Sequence, residues 1–115
     1  MRRRRIITLT ALAIVLVAAV PSEGAFLVRA TSTGNRFLPA RADVAQGTRV
    51  TWRAIGGTHT VTAYGGGWSK DTRITAGTQT GFTFQQRGTF RYRCRLHSSV
   101  SDGQCSGMCG RVVVS

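Results

Sequence analysis

The chain has 115 residues, 42% of them hydrophobic, and its 16 Lys and Arg against 4 Asp and Glu give a formal net charge of +12. That length is one domain with a modest core, and four acidic side chains leave few candidates for paired-carboxylate or general acid–base chemistry. All but one of the basic residues are arginines, and beyond Arg2–Arg5 they are spread singly along the chain, which reads as a solvated basic face and not as a nucleic-acid patch.

The first element is not part of the domain. "MRRRRIITLTALAIVLVAAV" sets Arg2–Arg5 before an apolar run from Ile6 to Val20 that is broken only by Thr8 and Thr10. This is the pattern of a secretory signal, assigned here to residues 1–24 with the cut after Ala19 or a few residues later. The run is shorter than the ~20 apolar residues needed to cross a bilayer, so membrane contact is expected only if the leader stays uncleaved. The domain is then 25–115, an exported monomer placed where thiols oxidise. Three cysteines is an odd number for such a protein, and one thiol needs a reason to stay unpaired.

From residue 25 onward the apolar residues follow period two and not the helical period. "AFLVRAT" is the first good strand. "TRVTWRA" puts Val50 and Trp52 on one face, "GFTF" does the same with Phe82 and Phe84, and "TFRYRCR" turns Phe90, Tyr92 and Cys94 inward against Arg91, Arg93 and Arg95. "RVVVS" closes the chain. Glycines and one proline punctuate these runs, and Gly65-Gly66-Gly67 with Trp68 reads as a mobile loop. The fold expected is all-β, an antiparallel Greek-key sandwich or barrel of seven to eight strands.

The chemistry gathers in the last 25 residues, "RYRCRLHSSVSDGQCSGMCGRVVVS", which hold every cysteine, one of two histidines and one of two methionines. Cys94 and His97 are separated by two residues, so a tight turn can aim both at one point, and Met108 sits just before the closing strand. His59, in "GGTHTV", opens a strand after a glycine pair and reaches the others only through tertiary folding. Two imidazoles, one thiolate and a weak thioether suit copper in an electron-transfer site. Each residue also has a plainer use: His59 as a polar strand edge, His97 at the surface, Met108 as core filler, and Cys94 as an inert thiol or one partner in three possible pairings.

At these residues the chain resembles the cupredoxins, the small blue copper proteins of the plastocyanin and azurin type. "GTRVTWRAIGGTHTV" is similar to the strand entering the family's first histidine, "GTFRYRCRLH" to the strand ending in the cysteine and second histidine, and "GMCGRVVVS" to the methionine and closing strand. The resemblance spans about residues 35 to 115. It implies one copper ion cycling between Cu(I) and Cu(II) on His59, Cys94, His97 and Met108, a Greek-key sandwich, and one-electron transfer between redox partner proteins. It also leaves Cys105 and Cys109 as a pair that would clamp the chain on either side of Met108. The chain departs from the family in three places. Ten residues separate His97 from Met108 where two to four are usual, Thr60 stands where an asparagine often braces the cysteine loop, and Leu96 stands where proline is common.

Other functions find less support. No lysine and serine or threonine follow the glycine triplet as a phosphate loop requires, Ser98, His97 and Asp102 have no nucleophile elbow around them, and the aromatics face inward instead of forming a base-stacking platform. The chain is therefore expected not to be an enzyme and not to bind nucleic acid. The alternatives kept are a copper carrier using the same ligands and a metal-free basic sandwich that binds acidic partners.

Overall fold

The computed structural model describes residues 24–115, so the leader expected over residues 1–24 lies outside it except for Gly24. Nine strands and no helix make up the described residues: β1 (Ala25–Thr31), β2 (Arg36–Leu38), β3 (Arg41–Val44), β4 (Arg49–Ala54), β5 (Thr58–Tyr64), β6 (Asp71–Thr75), β7 (Gln79–Thr83), β8 (Gly88–Ser101) and β9 (Gln104–Val114). They form a four-stranded sheet in the order β2-β1-β4-β7 and a five-stranded sheet in the order β3-β9-β8-β5-β6. The all-β sandwich is as expected, with more strands than the sequence suggests. Pairing is also not wholly antiparallel, since β1 runs parallel to β4 and β3 parallel to β9.

The inward faces are the alternating residues of the sequence. Val50, Trp52 and Ala54 of β4 join Tyr92 and Cys94 of β8 and Val112 and Val114 of β9 in one core cluster. Trp52 stands edge-on to Tyr92 with ring centroids 5.2 Å apart, and Tyr92 in turn meets Phe37 at 4.8 Å. Aromatic pairs of this geometry add to burial alone. The indole Nε1 of Trp52 and the hydroxyl of Tyr92 are both buried without a hydrogen-bond partner, and burial pushes the Tyr92 phenol far above its ordinary titration range.

Trp68 corrects the reading of the glycine triplet. Its ring packs on Phe82, Phe84 and Trp52, and its Nε1–H donates to the carbonyl of Arg91 at 3.0 Å, so the segment is pinned to β8 at its far end.

Gly110 of β9 is required by packing. The ring and hydroxyl of Tyr92 lie where a Cβ on residue 110 would project, so Gly110→Ala must push a fully buried aromatic out of place. Overpacking of this kind costs about 1–3 kcal/mol. Urea denaturation should show Gly110→Ala less stable by that amount, whereas Gly77→Ala, which has open space at its Cβ, pays only for its positive φ.

Candidate metal centre

β8 and β9 form a long hairpin whose register jumps once. Arg93 pairs with Cys109 and Ser98 with Gly107, so four residues of β8, Cys94 to His97, stand opposite the single residue Met108. This bulge sits at one end of the sandwich. It re-aims side chains as bulges do: Cys94 continues the inward face after Phe90 and Tyr92, Leu96 goes outward, and His97 swings back over the sulfur.

The bulge is held from both strands. Gly107 has φ +96°, and a Cβ there would run into the carbonyl oxygen of His97, so the close crossing of the two strands needs glycine. Beyond it, Ser98–Ser101 pair with Gln104–Gly107 across a two-residue turn, Asp102 (φ 51°) and Gly103 (φ 74°). Asp-Gly with both φ positive is the turn that matches strand twist. The ten residues between His97 and Met108 are therefore a regular hairpin that leaves the site and returns to it. The long spacing adds a protrusion and keeps Met108 at the bulge. A disulfide joins Cys105 to Cys109, which leaves Cys94 as the free cysteine among the described residues, and it is fully buried.

β5 supplies the third donor. His59 is its second residue and fully buried; its Nε2 lies 2.7 Å from the carbonyl oxygen of Gly56. A carbonyl only accepts, so Nε2 carries the proton and Nδ1 presents its lone pair. That Nδ1 lies 4.0 Å from Cys94 Sγ, and the Nδ1 of His97 lies 3.3 Å from it. The donor atoms of His59, Cys94 and His97 all fall within 4.8 Å of one another. Three donors bound at ~2.0–2.3 Å to one ion stand roughly 3.3–3.8 Å apart, so the group is nearly the size of a first coordination sphere.

The surroundings brace the sulfur. The backbone N–H of Thr60 donates to Cys94 Sγ at 3.3 Å. The hydroxyl of Thr60 accepts from the backbone N–H of Arg95 at 2.8 Å. The Thr62 hydroxyl donates to Asp71 at 2.8 Å, so its contact with Thr60 at 3.0 Å is one in which Thr60 donates. Arg95 closes the circuit by donating from Nε to the same carboxylate oxygen at 3.0 Å. Threonine thus does the bracing expected of the asparagine it replaces. The Thr62 hydroxyl and then Arg95 hold the Asp71 carboxyl below its ordinary range.

The donor set fits a particular ion. Closed zinc sites take four strong donors from cysteine, histidine and carboxylate, and this group has three. Two imidazoles and a thiolate with a thioether behind them are the copper set, and Met108, buried, is the residue facing the bulge.

No family model matches the chain, and no curated protein matches it in sequence. Solved structures do. A mutant of amicyanin in its reduced Cu(I) form at pH 4 aligns with TM-score 0.65 and 25% identity over 85% of this chain and 89% of that one. A purple cupredoxin from Nitrosopumilus maritimus aligns with TM-score 0.63 and 15% identity over 78% of this chain and 99% of that one. A copper-containing nitrite reductase from Thermus scotoductus SA-01 gives TM-score 0.63 and 21% identity, covering 79% of this chain and 22% of the reductase. Fold and site together define a small sandwich protein whose His-Cys-His group has two buried members and one, His97, half-buried. The chain has the cupredoxin fold, with a His-Cys-His group in it that could hold a metal ion.

Two outcomes follow from this geometry. Thr60→Val keeps shape but leaves the Arg95 N–H without its acceptor, and an unsatisfied buried donor costs about 1–3 kcal/mol; urea midpoints of the metal-free protein should fall accordingly. Burial, followed by the charge of His97, pushes the His59 imidazole below its ordinary value, against the pull of the Gly56 carbonyl. The unfolded chain then takes up a proton near its ordinary pKa of about 6.5 while the folded chain does not. Stability is full above that pH and falls as pH drops below it. Midpoints for the metal-free protein measured at pH 7.5 and 5.5 should show the decline, and a flat profile would contradict it.

Proposed function

We propose that the protein binds one copper ion through His59, Cys94, His97 and Met108 and carries single electrons between redox partner proteins. The observation that carries this reading is the convergence of buried His59 and Cys94 and half-buried His97 at the bulge that faces Met108. When bound, copper supplies a one-electron Cu(II)/Cu(I) couple. The chain's part is to hold the donors so that little moves when charge changes: His59 is fixed by Gly56, Cys94 by Thr60, and the bulge by β5, Gly107 and the hairpin. Three strong donors and an axial thioether leave no open position for a substrate, which favours a carrier over a catalyst.

His97 is half-buried and is the donor nearest solvent, so its ring edge is the natural exit for the electron. The apolar side chains Leu96 and Val100 of β8, with Ile55 and Leu38 on neighbouring segments, stay exposed towards this end of the molecule and supply a docking rim. Export fits the same picture. The Cys105–Cys109 disulfide belongs to an oxidising compartment, and amicyanin and the purple cupredoxin share the fold.

Titration of the metal-free protein with Cu(II) should give an intense visible band that saturates at one equivalent, with a reversible one-electron wave. Cys94→Ser should abolish the band. A wild type that stays colourless while holding zinc would overturn the reading, and rapid loss of copper to a metal-free acceptor protein would replace electron transfer by copper delivery.

A further inference from the structure

The arginines that are scattered in the sequence are aligned by the fold. On the outer face of the five-stranded sheet Arg41 of β3 pairs in register with Arg111 of β9, Arg111 with Arg91 of β8, and Arg91 with Tyr64 of β5. Three guanidinium groups therefore occupy consecutive places in one row, with strands about 4.8 Å apart. Like charges directly opposite on a sheet are destabilising, so such a row works against folding unless something offsets it.

The protein itself offsets little of it. Asp43 forms a bidentate pair with Arg41 at 3.0 and 3.1 Å. Asp71, the other carboxylate on this face, is taken by Arg95. Among the described residues, the side chains of Arg91 and Arg111 make no hydrogen bond and no ion pair.

The row also lies in an open cleft. The hairpin beyond the metal centre brings Gly103, Gln104 and Cys105 alongside the sheet, and together with Tyr64, Arg41, Arg91 and Arg111 they line a cleft of ≈ 350 Å³. The opposite sheet also sets two arginines in register, Arg29 with Arg53. Neither of them lines this cleft.

We propose that this cleft is a binding site for a small, multiply charged oxyanion of the phosphate class, of about the size of a diphosphate. Arginine is the side chain suited to bidentate contact with phosphoryl oxygens. Arg91 and Arg111 are free to make such contacts, and Arg41, paired with Asp43, adds a third guanidinium at the end of the row, which matches a compact anion carrying several charges. The hairpin walls one side of the row, and one tyrosine is not the stacking platform that a single nucleic-acid strand needs. The site uses no residue of the proposed metal centre and needs no copper, so its test stands apart from the test of electron transfer.

Calorimetric titration of the purified metal-free protein with inorganic pyrophosphate, at constant ionic strength, should show one site. Arg91→Gln with Arg111→Gln should weaken it by about tenfold or more, the loss expected when charge-assisted hydrogen bonds are removed. Arg29→Gln with Arg53→Gln removes the same charge from the other sheet and should change affinity by no more than about twofold, because distant surface charges are screened. Thermal midpoints provide the folding control, since the Arg91 and Arg111 variant relieves like-charge repulsion and should melt no lower than wild type. No binding of pyrophosphate, equal weakening in the two double variants, or binding to phosphatidylglycerol vesicles that pyrophosphate does not reverse would each overturn the proposal.

Discussion

Four residues of β8 standing opposite one residue of β9 is the constraint on which the rest of this molecule depends. A regular ladder would send Cys94 and Leu96 inward and His97 outward. The bulge lets the sulfur and the imidazole three residues later share one side while Met108 stays opposite both. Its existence rests on Gly107, the one residue type that can pass so close to the His97 carbonyl, and on a hairpin that restores pairing immediately beyond. The Cys105–Cys109 disulfide ties the returning strand across Met108. Ten residues between His97 and Met108 would normally loosen the link between them. Here the inserted residues are paired with one another, so the ends of the insertion are held as close as in a short loop.

A second constraint acts across strands. Thr60 serves Cys94 with its N–H and Arg95 with its hydroxyl, so β5 grips the bulge on both sides of the Cys94–Arg95 peptide. The next residue back, His59, is a donor itself, which means that the grip and the donor are on the same rigid strand. Buried networks of this kind strengthen a site only when every member is satisfied. The circuit through Thr62, Asp71 and Arg95 does satisfy them, ending in solvent where a carboxylate is cheap to hold.

Much of this was legible in the chain. The central strands β4 and β8 and the closing end of β9 announce themselves by strict alternation, because each has one face on the core and one in water. The strands that did not announce themselves, β2, β3 and β6, are three to five residues long and lie at sheet edges. β2 buries only Phe37 and β6 only Ile74, and a single inward residue has no period to read. The hairpin of residues 98–107 was missed for a related reason, since it stands away from the core and Val100 is its one large apolar side chain outside the site. Its signal was the Asp102-Gly103 pair, a turn dipeptide and not a pattern of burial. The donor residues His59, Cys94 and His97 were read by chemistry and order, and the structure brings them together. The bulge that makes this possible is a property of register, which no single strand displays.

Register also explains why the charge could not be read correctly one residue at a time. Arg41, Arg91 and Arg111 are far apart in sequence, and two of the three become neighbours only through the parallel pairing of β3 with β9. β9 then serves two faces at once. Met108 and Val112 point into the sandwich, while Arg111 points out to the basic cleft and Cys109, between them in the chain, carries the disulfide that lines it. The inner face of this strand sets Met108 opposite the bulge, and its outer face sets Arg111 between Arg41 and Arg91 with Asp43 as the one paired carboxylate. Replacing either arginine with a neutral residue would relieve repulsion without touching the core, so retaining both fits a surface that meets an anion.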